Sequence, residues 1–142
     1  MVNSSIYSSF LFNINIIGGV YYKEEVYTLL FTYLLLSSLY YHTTYNSLSY
    51  YLDQIGCVSV VFYTFYMWIT YLFFIRTLYQ FTLALIYIVS LSYIIISYFY
   101  GKRMKYFSHH PNVVIGNYFH SLLHFSACVG SYSVLVLVSS SS

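Results

Sequence analysis

A chain of 142 residues that is 60 % hydrophobic and carries only five Lys/Arg and three Asp/Glu side chains is not an ordinary soluble domain, in which roughly a quarter of residues are charged. Its formal net charge of +2, with no long basic patch, gives no footing for nucleic-acid binding. The composition instead points to an all-α integral membrane protein, one polytopic bundle of transmembrane helices over residues 1–142.

A helix crosses the hydrocarbon core with about 20 apolar residues. In chain order, residues 6–20 are apolar but interrupted by Asn13, Asn15, Gly18 and Gly19, which suits a short or re-entrant segment. After the polar cluster Lys23, Glu24 and Glu25, a first main span is expected at about 26–41 and a second at about 55–75. Arg76 marks a tight turn, a third span covers about 78–100, and after GKRMKYFSHHPN a fourth covers about 113–138. A single helix from 55 to 100 is excluded by length, since about 46 residues at ~1.5 Å each reach roughly 70 Å, over twice the ~30 Å core. The serines after 138 read as a frayed terminus.

Two crossings separate residue 53 from residue 100, so the loops at 42–53 and 101–112 fall on one side of the membrane. Lys102, Arg103 and Lys105 lie in the second loop, against Lys23 and Arg76 on the other side. The positive-inside rule then turns that loop side toward the cytoplasm, or toward the matrix in a mitochondrion. The start, MVNSSIYSSF, lacks the basic region of a cleavable secretory signal and the Arg-rich amphipathic pattern of a mitochondrial import sequence. The expected location is an endomembrane or the mitochondrial inner membrane, the latter easier to reconcile with organelle-encoded synthesis. Cys57 and Cys128 lie in apolar stretches and read as reduced packing residues, not a disulfide framework.

Few polar side chains sit at the span ends, and they share a pattern. His120 and His124 are one helical turn apart on one face, a spacing that lets two imidazoles reach one ion or simply serve as interfacial polar residues. Parity brings His42, at the end of the first span, to a similar depth. Three histidines from two helices then leave a fourth position for water, the pattern of a catalytic zinc site. Asp53 is the one carboxylate apart from Glu24 and Glu25; it either caps the second span or assists the water. Ser38 lies one turn before His42, where its hydroxyl either serves the site, bonding a substrate carbonyl or orienting a ligand, or bonds back to its own helix. His109 and His110, before Pro111, read as solvated loop residues.

The motifs Ser38-x3-His42, Asp53 eleven residues on, and His120-x3-His124 followed by Gly130 and Tyr132 resemble a superfamily of membrane proteins. It comprises alkaline ceramidases, adiponectin-type receptors, haemolysin-III-like proteins and GPI-lipid remodelling factors. SSLYYHTTYNSLSYYLDQI, with Thr44 and the run Leu52, Asp53, Gln54, is most similar to the ceramidase branch; FHSLLHFSACVGSY is similar to the last helix, with Leu123 where an aromatic is usual. The resemblance implies that His42, His120 and His124 are zinc ligands, that Asp53 positions water and that Ser38 assists. It implies hydrolysis of a lipid amide or ester, with membrane lipids as partners. The departure is size: such proteins usually have seven spans against four or five here, although losing one antiparallel pair preserves the parity.

YYHTTYNSLSYYLDQIG is also similar to the membrane anchor subunits of succinate dehydrogenase, which implies haem b on His42 and a quinone site near Asp53. Small size and a Tyr/Phe/Ile/Leu loading typical of AT-rich coding DNA suit such a subunit. Asn46-Ser47 and Leu48-Ser49 depart from its motif, and His120-x3-His124 is left without a role. A third reading is a structural membrane subunit of a larger respiratory complex, with every polar residue satisfied locally.

Overall fold

The computed structural model describes residues 4–141, and among them every regular element is helical. In chain order these are α1 (Ser4–Ser9), α2 (Phe12–Tyr21), α3 (Glu25–Thr44), α4 (Ser47–Leu72), α5 (Leu78–Ile95), α6 (Gly101–Met104) and α7 (Val113–Ser141). A π-helical turn (Ile96–Tyr100) joins α5 to α6, and a 3-10 turn (Phe107–His109) precedes α7.

Local chemistry explains the boundaries. Tyr45 adopts a left-handed conformation (φ 52°) that ends α3. One residue later the side chain of Asn46 accepts a hydrogen bond from the Ser49 amide at 2.7 Å and starts α4. The expected turn at Arg76 is present, and α5 opens with a reciprocal capping box between Thr77 and Gln80. Lys105, again left-handed (φ 55°), closes α6, and Asn112 Oδ1 accepts from the Val114 amide at 3.0 Å to begin α7.

Helix α7 is the hub, packed against α1, α2, α4 and α5, while α3 packs on α2 and α4. The apolar core joins Phe12, Tyr27, Phe31 and Leu34 to Val134, Leu135 and Val138. Two close approaches depend on glycine. Gly18 lies against the Tyr132 ring and Gly19 against Thr28, where a Cβ would collide. The two glycines that seemed to weaken the N-terminal segment are thus what let α2 lie flat on α3 and α7.

Among the described residues, three helices are long and apolar enough to cross a membrane: α4, α5 with its continuation, and α7. Only 22 % of the apolar window of α4 and 17 % of that of α5 is buried, against 50 % for α7. So much apolar side-chain surface facing outward suits lipid, not water. The expectation of four main spans is met only in part. Helix α3 has the 20 residues a crossing takes, but Glu25, its threonines and serines, and His42 dilute its hydropathy, and it is not among the three.

Further expectations are corrected. Asp53 does not cap the second span, because α4 starts earlier, at Ser47, and Asn46 does the capping. Ser139 and Ser140 continue the helix, bonding back to the Val136 and Leu137 carbonyls, each at 2.9 Å, while residue 142 lies outside the described residues. The segment at 6–20 is two short helices, α1 and α2, bent at residues 10–11.

Candidate metal centre

The histidine-bearing faces of α3 and α7 meet near the end of α3. The helical repeat puts Ser38 and His42 on the inner face of α3, and both are buried. The same repeat puts His120 and His124 on the inner face of α7, with ring centroids 4.6 Å apart. The His42 ring lies 4.9 Å from that of His120 and 5.7 Å from that of His124. The parity argument thus brings together the histidines it expected to meet.

The geometry can be tested against an ion. Nε2 of His42 and Nε2 of His120 are 3.2 Å apart. Two nitrogens on a tetrahedral zinc, each bonded at ~2.0–2.1 Å, stand about 3.3 Å apart. One ring nitrogen from each of the three histidines lies within 4.8 Å of the others, so the group could hold a metal ion. The donor set fits: neutral imidazoles in a buried pocket suit zinc, and three protein ligands leave one position open. Cys57 and Cys128 lie outside the group. Cys128 instead accepts from Asn15 Nδ2 at 2.9 Å and donates to the Leu11 carbonyl at 3.3 Å, a packing role.

Asp53, buried on α4, stands outside the histidine group. The Ser38 side chain lies beside its carboxylate, while Oδ1 is buried without a partner. A buried carboxylate oxygen left unpaired costs several kcal/mol in order-of-magnitude terms, so its retention points to a use. Ser38 does not take the back-bonding alternative, which its neighbour Ser37 adopts with the Leu34 carbonyl at 3.1 Å.

Two residues escaped the sequence reading. Ser8 Oγ lies 2.9 Å from Nδ1 of His124, and Ser9 Oγ lies 3.0 Å from Ser38 Oγ. Phe12 packs its ring 5.1 Å from the His124 ring. Nothing in SSIYSSF marks these residues, since lone serines carry no metal-ligand spacing. His109 and His110 take no part in the histidine group and are half-buried, not fully solvated. The His109 ring meets that of Tyr98 edge to face at 5.9 Å, and His110 Nδ1 accepts from the Asn112 amide at 3.0 Å.

Comparison of the chain with protein-family models, with curated proteins and with solved structures gave no match.

Proposed function

We propose that this chain is a zinc-dependent intramembrane hydrolase that cleaves a lipid amide or ester, with α3 serving as a fourth span beside α4, α5 and α7. The observation that carries the reading is the convergence of His42, His120 and His124, from two helices far apart in sequence, with ring nitrogens within 4.8 Å. The motif resemblance to the ceramidase-containing superfamily runs through the same residues and fits a shortened member of it.

The roles follow from what each side chain can do. His42, His120 and His124 hold the ion. Zinc, when bound, polarises a carbonyl and brings the pKa of water toward neutrality. Asp53, with Ser38 beside its carboxylate and Oδ1 unpartnered, accepts the proton of the attacking water and returns it to the leaving amine or alkoxide. Ser38 holds the carboxylate in place. The outward apolar faces of α4 and α5 keep the site in contact with lipid, from which the substrate arrives.

The haem reading is the weaker one. It calls on His42 alone and gives no role to His120 and His124, whose rings lie against that of His42.

One preparation of the full chain in detergent separates the readings. Metal analysis is expected to find about one zinc per chain, with no Soret band and with turnover of an N-acyl sphingoid base or a glycerolipid ester. Asp53→Asn is expected to lower kcat by ~10²–10⁴-fold, the usual contribution of general acid–base catalysis, while zinc content stays the same. A Soret band lost in His42→Ala and kept in His120→Ala would favour the respiratory anchor instead. Neither zinc nor haem would favour a structural subunit.

A further inference from the structure

Hydroxyl side chains on this protein mostly bond the carbonyl one turn back, as Thr28, Thr32, Thr64 and Thr82 do at 2.8 Å. Ser8 and Ser9 also meet side chains of other helices. Ser8 meets His124, 116 residues away in sequence, and Ser9 meets Ser38, 29 residues away. Both contacts are buried, and they fall on the two different branches of the centre, one on a metal-ligating ring and one on the holder of the carboxylate.

We propose that Ser8 and Ser9 are positioning residues of the metal centre, Ser8 fixing the ring nitrogen that His124 presents to the ion and Ser9 aligning Ser38 and, through it, Asp53. The proposal rests on the hydrolase reading and adds α1 to its machinery. An imidazole ligates through one nitrogen, and the hydrogen bond at the other decides which. With Nδ1 of His124 donating to Ser8 Oγ, Nε2 keeps its lone pair for the ion. Without the Ser8 hydroxyl the ring keeps the Ser8 backbone beside it, but its orientation and tautomer are held less tightly, and the site loses preorganisation.

Helix α1 is too short to be stable by itself, so it needs an anchor if it is to position anything. The anchor is the helix that follows. Asn15 of α2 bonds both Tyr27 of α3 and Cys128 of α7, and Phe12 sits between Phe31 and His124. The N-terminal helix pair is thereby pinned to the same two helices that carry the ligands. A consecutive pair of serines on one turn then reaches both of them, because neighbouring positions on a helix point about 100° apart.

The test is a zinc-affinity measurement by chelator competition on the full chain in detergent, joined to steady-state kinetics. Ser8→Ala is expected to weaken zinc binding by ~10–100-fold, the range for loss of an outer partner of a ligating histidine; Ser8→Thr, which keeps the hydroxyl, is expected to restore it. Ser9→Ala is expected to bind zinc as the wild type does but to lower kcat about tenfold at unchanged KM, on the scale of a misplaced catalytic group. A purely structural role for α1 would make both alanine variants lose zinc and activity together, and that pattern overturns the proposal. Zinc bound equally tightly by wild type and Ser8→Ala overturns it while leaving the hydrolase reading intact. A wild type that binds no zinc overturns both.

Discussion

The two halves of α7 differ in what surrounds them. Its first half carries His120 and His124 toward α1 and α3, where the neighbours are a hydroxyl and imidazoles. Its second half buries Val134, Leu135 and Leu137 at 0 % exposure among apolar and aromatic side chains. One helix therefore does two jobs. The second half holds the bundle together through packing, and the first half uses that rigidity to keep polar groups in register. In lipid the apolar half gains little from leaving its surroundings, which are as apolar as itself, so close fit supplies its stability.

That contrast is broken most directly at the polar end. His42→Ala is expected to weaken zinc binding by more than ~100-fold, beyond the cost of losing an outer partner, with the thermal midpoint of the metal-free protein almost unchanged. Isothermal competition with a chelator and a thermal melt on the same sample check both parts. At the apolar end the pattern reverses. Leu135→Ala is expected to cost about 2 kcal/mol of stability, the low end for a buried leucine because lipid offers no transfer penalty, while zinc stoichiometry stays that of the wild type. A denaturation series with metal analysis reads both.

The histidine end was legible before any coordinates because imidazoles are rare in an apolar chain and carry a helical spacing. Parity alone then fixed which ends of which helices meet. The supporting layer was not legible. Ser8, Ser9 and Asn15 look like ordinary polar residues of a poor membrane segment, and their partners lie in helices whose rotation no spacing rule gives. Of the two roles open to Asp53, capping the second span is overturned, since Asn46 sits about two turns earlier and starts the helix. The π turn at Ile96–Tyr100 was also invisible, because it changes the hydrogen-bond register without changing the apolar pattern.

Two smaller effects sharpen the comparison. Gly18→Ala places a Cβ 2.6 Å from a Tyr132 ring carbon, and Tyr132 must swing aside. The expected cost is about 1 kcal/mol, typical of mild overpacking, with zinc affinity unchanged; an equilibrium unfolding curve measures it. Cys128→Ser is expected to be the mildest, under about 0.5 kcal/mol, because a hydroxyl can keep both the Asn15 and the Leu11 contacts. Zinc loss in that variant would make the thiol part of the site and erase the division between the halves.

The most direct measurement is X-ray absorption at the zinc edge on the metal-loaded protein. The account predicts three imidazole nitrogens and one further light atom at ~2.0–2.1 Å, with no sulfur at ~2.3 Å. A sulfur shell, or fewer than three imidazoles around the ion, would contradict it.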